Sequence, residues 1–354
     1  MNAPHHANEI PLPETGRKMA LPLALSALFF VAAMAICPWI GPTTIDMHNA
    51  VFGPAGNNDM QILMTARLPR IVLAAMTGAA LALAGVGFQA MLRNPLADPY
   101  TLGIAAGGSL GAVIAMRSGI EVGVIATVLH GLGVSPLPVA AFLGCLLSVA
   151  LVYLVASGRG PLPPTTLVLA GVIVSFFLSS IIMFLLYWRT DFVDAYQIMR
   201  WTMGSLDITS FGPVWRAGVF FAIGGVLLLA LARPLNLLAT GEALAHSRGV
   251  NVRRLKQLVF LGASIVTASA VALSGPIGFI GIIVPHAVRM MFGADHRMVM
   301  PCSLFGGAGF LVICDTLCRT VMAPIELPVG VLTALLGGPF FIWLLRKEKR
   351  QSFR

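Results

Sequence analysis

Ser274-Gly-Pro-Ile-Gly-Phe-Ile-Gly-Ile-Ile-Val-Pro-His-Ala-Val-Arg-Met-Met-Phe292 sets a near-continuous apolar run against interspersed Gly, Pro, His and Arg. Glycine and proline interrupt a helix, and at membrane depth such interruptions are tolerated only where other protein or a water-lined cavity satisfies the freed backbone. The rest of the chain agrees with a membrane setting. Of 354 residues, 57% are hydrophobic and 10% charged, with mean hydropathy +0.88; soluble domains carry about 25% charged residues. A span takes about 20 apolar residues. Ten candidates fit between Met19 and Leu345, at approximately 19–39, 70–92, 97–116, 135–157, 165–188, 213–232, 256–274, 278–292, 300–317 and 330–345. The reading is an all-α integral membrane protein with about ten transmembrane helices.

No separate soluble domain fits. Residues 1–18 read as a tail, 19–345 as the transmembrane domain and 346–354 as a basic tail, with the longest polar stretches, near 41–61 and 233–256, as loops. The +9 net charge reflects topology rather than nucleic-acid binding. Most of the 23 basic residues, among them Arg17, Lys18, Arg233, Arg248, Arg253, Arg254, Arg346 and Lys347, fall on one side of a ten-helix reading. Positive charge stays inside, so both termini are expected in the cytoplasm. Arg17-Lys18 before an apolar segment also fits a signal peptide, but Pro38-Trp39 at its end suits an interface anchor, and a retained first helix is expected.

Several motifs fail on context. Gly107-Gly-Ser-Leu-Gly111 satisfies the serine-hydrolase pattern G-x-S-x-G, which needs a strand-to-helix elbow. Here Gly103, Gly107 and Gly111 form a ladder of small residues that lets helix backbones approach in lipid. No lysine follows the spaced glycines of a phosphate loop, so ATP hydrolysis by that machinery is excluded. No Asp or Glu reads near the middle of a span, which disfavours an ion-coupled carrier. Asp315 is expected to pair with Arg319, one turn on. Cys37, Cys145, Cys302, Cys314 and Cys318 lie in apolar segments without companion ligands and read as packing residues, so no metal site is expected. His286 reads as a structural hydrogen-bonding residue. Ala80–Gly85 and Ala270–Gly275 match as a weak inverted repeat, each before a Gly-Phe pair.

The Ser274–Phe292 string resembles the signature of the FecCD-type permease family, membrane subunits of ATP-driven importers for iron chelates, haem and cobalamin. A second block agrees: Arg67-Leu-Pro-Arg70, then Gly78 to Gly87, then Asn94-Pro-Leu-Ala-Asp-Pro99. The likeness runs from about Leu63 to Arg346 and leans toward haem-importer permeases. It implies a type II ABC importer permease fold in a bacterial inner membrane. It further implies a homodimer with two ATPase subunits carrying the ATP and a periplasmic substrate-binding protein delivering cargo. No cofactor is expected to be bound permanently. Haem or another iron chelate is the expected cargo, with ferric siderophore or cobalamin as alternatives.

The resemblance also implies site residues. Thr240–Gly249 reads as a two-turn helix with Glu242 in its first turn and Gly249 as its left-handed terminator. Gly241, Glu242, Ala245 and Gly249 match the family's ATPase-coupling helix, whereas Arg248 stands where the family usually has Leu. Arg67, Arg70 and Arg319 match arginines that pair with glutamates of the binding protein, a role suited to the guanidinium fork. Thr165 to Gly204 is expected to line the path, with Phe176, Phe177, Met183, Arg189 and Arg200 as candidates. The gate falls at Leu162-Pro-Pro-Thr-Thr166, where Pro163 and Pro164 replace hydroxyl residues before Thr165 and Thr166.

Overall fold

The computed structural model describes residues 16–352 apart from 55, 119–126, 128–130, 132–133, 158–162 and 189–191. Among the described residues seven helices are long and apolar enough to cross a membrane, and three shorter apolar ones bring the apolar helices to the ten expected. In chain order the main elements are α1 (Gly16–Ile36), α2 (Met47–Phe52), α3 (Asn58–Gln61), a π turn (Ile62–Arg67) and α4 (Leu68–Leu92). Next come α5 (Ile104–Arg117), α6 (Pro136–Ala156), α7 (Pro164–Tyr187), α8 (Phe192–Thr202) and α9 (Phe211–Ala230). The chain ends with α10 (Ala232–Ala239), α11 (Glu242–Ser247), α12 (Val252–Ser274), α13 (Ile280–Phe292), α14 (His296–Thr320) and α15 (Val329–Ser352).

Both stretches expected as loops hold short helices. Asp46 and Asn57 cap α2 and α3 by accepting from backbone N–H groups, and α10 precedes α11 in the 233–256 region.

The central element is α4, buried on nearly every side. It packs against α9, α12, α13 and α14, and glycine makes the approach possible. A Cβ on Gly78 would strike the Gly307 carbonyl of α14, and one on Gly85 would lie 2.6 Å from Gly281 Cα of α13. Small residues at crossing points let dispersion contacts act over whole helices where lipid supplies no hydrophobic drive. The Gly107 and Gly111 ladder works likewise against Gly144 and Ala140 of α6, as expected. Ser109 is buried inside α5, so no serine elbow exists there.

The two motif blocks meet. Gln89 donates to Gly281 O at 2.8 Å and accepts from Arg289 at 2.6 Å. Asp98 accepts from Phe279 N at 3.3 Å, and Tyr100 Oη from Ile277 N at 2.5 Å. These bonds satisfy the backbone of the extended link between α12 and α13, where Phe279 sits at φ +69°. The paired repeat segments differ here: Gly85 continues its helix, whereas Gly275 ends one at φ +64°. His286 lies edge-on to Phe340, ring centroids 5.7 Å apart.

Gly78→Ala should destabilise the purified protein by about 1–3 kcal/mol through overpacking. Gly218→Ala, with nothing within 4 Å of its added methyl, should be neutral or slightly stabilising. Thermal unfolding in detergent checks the pair, and equal midpoints would refute the contact.

Candidate functional site

Arg67, Arg70 and Arg319 gather at one end of the bundle, but none is a free surface group. All three are buried, at 3%, 8% and 3% exposure. Asp315, fully buried on α14, receives Arg70 Nε at 2.8 Å and Arg319 Nε at 3.0 Å. The expected pairing of Asp315 with Arg319 is therefore present, and Arg70 from α4 joins it. Arg70 Nη1 also meets Glu326 at 2.7 Å and Asp207 at 3.5 Å. Asp207 in turn binds Arg200 of α8. Arg67 donates instead to the Pro38 carbonyl at 2.9 Å and to that of Thr43. The cluster thus ties α4, α14, the turn before α15 and the loop after α8.

Glu326 and Asp207 escaped the sequence reading because the partner they share, Arg70, lies far away in the chain. An acid between an arginine helix end and Pro328 carries no periodic signal. Among the described residues the two buried acids lie toward span ends: Asp98 precedes α5, and Asp315 stands five residues before the end of α14. Asp98 and Asp315 are both buried, but their oxygens are engaged by backbone N–H groups and by arginines respectively.

The opposite end carries α11. The 23-residue α12 separates the ends by about 34 Å at 1.5 Å per residue. Gly241 and Gly249, at φ +125° and +83°, let the chain enter and leave this six-residue helix. Glu242 reaches across to Lys256 of α12 at 2.8 Å, and that lysine side chain is only 2% exposed. Ala245 is fully buried against its own chain. The outward face is instead Ala243, Leu244, Ser247 and Arg248, with Leu244 40% exposed. Beside it runs a shallow groove of about 370 Å³ lined by Glu242, Ala243, His246, Asn251, Val252 and Arg253. Nearby, Asp295 accepts from Arg297 and Asn236, and the Arg297 bond holds its carboxyl down at about 2.

Pro164, Thr165 and Thr166 open α7, and both threonines are exposed. Phe176, Phe177 and Met183 project from the same helix at 72%, 59% and 65% exposure, so they are not part of this chain's core. Arg189 lies outside the described residues. Arg200 is half-exposed and paired with Asp207 rather than open. Among the described residues no group of His, Cys, Asp and Glu forms a metal site.

This arrangement has known relatives. The model of the FecCD transport family matches residues 24–347. The chain belongs to the FecCD transport family. An uncharacterised ABC transporter permease of Bacillus subtilis, YvrB, is 40% identical over 86% of this chain and 84% of its own. The cobalamin import permease BtuC of Halobacterium salinarum is 39% identical over 94% and 87%. The hemin transport permease HmuU of Yersinia pestis is 40% identical over 82% and 84%. A solved metal-chelate type ABC transporter in an inward-facing conformation superposes with TM-score 0.78 at 30% identity, covering 93% of this chain and 99% of its own. As a FecCD-family protein the chain is a permease subunit of an ABC transporter, without catalysis of its own.

Asp315→Asn should destabilise the FecCD fold here by about 3–5 kcal/mol, because two buried guanidinium groups lose their shared anion. Glu326→Gln, at a half-open position, should cost less than about 1 kcal/mol. Thermal midpoints of the two variants check the contrast, and equal losses would count against Asp315 as the anchor.

Proposed function

We propose that this permease imports haem or a related iron chelate from periplasm to cytoplasm as a homodimer in a bacterial inner membrane. Two ATPase subunits bind the α11 end, and a periplasmic binding protein docks at the arginine end. The observation that carries the reading is the contrast between those ends. One presents an exposed apolar helix tip at Leu244, and the other a cluster of arginines and acids. Leu244 and Arg248 are the contacts of α11 with the ATPase, while Glu242 and Ala245 hold the helix to α12 and its surroundings. On this orientation both termini lie in the cytoplasm, as the basic residues favour.

The path runs beside α7, with its gate at Pro164, Thr165 and Thr166. Phe176, Phe177 and Met183 supply soft apolar contact suited to a macrocycle. ATP binding closes the ATPases, α11 moves with them, and the gate responds by alternating access. Haem stands first on likeness to HmuU and on this lining; cobalamin and ferric siderophores are the rival cargoes, with BtuC matched equally well.

Leu244→Asp should release the ATPase on purification and abolish transport while the permease stays folded. Ala245→Trp should do the same by displacing the helix from its own chain, with a loss of thermal stability that Leu244→Asp lacks. Normal transport by either variant would remove α11 from the ATPase contact. Cargo is tested in liposomes holding permease, ATPase and binding protein: ATP-dependent entry of haem is expected. Entry of cobalamin or a siderophore without haem would overturn the cargo assignment.

A further inference from the structure

Arg70 holds its two edges differently. Nε rests on Asp315, whose side chain is 0% exposed. Nη1 faces Glu326 and Asp207, whose side chains are 37% and 39% exposed. The inner bond is shielded from water, whereas the outer two are open to screening and replacement. Glu326 stands in the turn between α14 and α15, so it can swing away without unwinding a helix. Asp207 has a second cation waiting, Arg200 of α8.

The charges also balance. Arg70, Arg319 and Arg200 face Asp315, Glu326 and Asp207. A carboxylate brought from outside to this neutral set is desolvated without a net attraction to repay it. With Glu326 turned out, the set carries one uncompensated positive charge, and Arg70 Nη1 keeps only its longer contact with Asp207. Arg67 lies beside it, resting on carbonyl oxygens and with the acid Asp59 near it.

We infer that Glu326 is a built-in occupant of the docking site: a carboxylate of the binding protein takes Arg70 Nη1 by displacing it. This inference rests on the docking reading given under Proposed function. Asp207 shares the displaced position and passes to Arg200, which places the exchange in contact with α8. Docking strength is therefore set by competition within the permease as well as by the partner's own acids.

The test titrates the labelled binding protein of the same transport system against the permease–ATPase complex in nanodiscs. Glu326→Gln should tighten docking about fivefold, the scale of one half-exposed ion pair. Asp207→Asn should tighten it less, because Asp207 lies farther from Arg70. Asp46→Asn removes the same charge from the cap of α2 and keeps its hydrogen-bonding shape, so it should change docking less than twofold. If wild type docks and Glu326→Gln is no tighter than Asp46→Asn, the exchange is wrong and the docking reading stands. If wild type shows no saturable docking, both fall.

Discussion

The rest of the molecule depends on the backbone-to-backbone contact of α4 with α14 and α13. Gly78 meets Gly307, and Gly85 meets Gly281, with no side chain between. In lipid, neighbouring helices gain little by leaving acyl chains for one another, so close packing must supply the association. The contact also sets register. Arg70 lies eight residues before Gly78, and Asp315 eight residues after Gly307. On antiparallel helices each step covers about 12 Å toward the same end, which brings the guanidinium onto the carboxylate. A slip by one turn would part Arg70 from Asp315 and leave the buried guanidinium without its shielded anion, at a cost of several kcal/mol. The ion cluster and the glycine crossings therefore select one another.

The same logic explains why the signature string looks as it does. Gly281 is the crossing point with α4, and Gly275 and Phe279 shape the extended link before α13. Arg289 reaches back to Gln89, and the turn around Asp98 and Tyr100 closes the link's free N–H groups. Asp98 belongs to the second block that the sequence singled out, and Gln89 and Tyr100 stand just outside its quoted parts. Two motifs far apart in the chain are thus one piece of structure, and their first task is to satisfy backbone inside the membrane.

What could be read from sequence follows from the range of each interaction. Ten apolar segments were visible because hydropathy is local, and Asp315–Arg319 because one helical turn is local. The partnership of Arg70 with Asp315 spans 245 residues, and no pattern in one chain announces it. The arginines consequently read as open docking groups, whereas their guanidinium groups are largely engaged within the chain. Helix α10 was missed because its polar residues masked an amphipathic turn, although the caps Asp46 and Asn57 were legible signals for α2 and α3. Ala245 matched the family motif, but a six-residue helix gives too short a period to say which face turns inward.

Helix α12 is the element that touches both ends. Near its start Lys256 grips Glu242 of α11, and at its finish the Ser274 carbonyl accepts from Ser205 N at 2.9 Å. Ser205 is two residues from Asp207, the acid that bridges Arg70 and Arg200. A helix carries displacement along its axis because each turn is bonded to the next, and α12 has no proline to interrupt it. Spatial continuity alone transmits nothing; a signal needs an element with two arrangements that both ends bias. The ion pairs at either end are the parts best able to take two arrangements, since their acids reach solvent, although each buried cation left behind needs another anion. The shielded pair at Asp315 and the glycine crossings have no solvent-facing acid and no room to trade partners in this way.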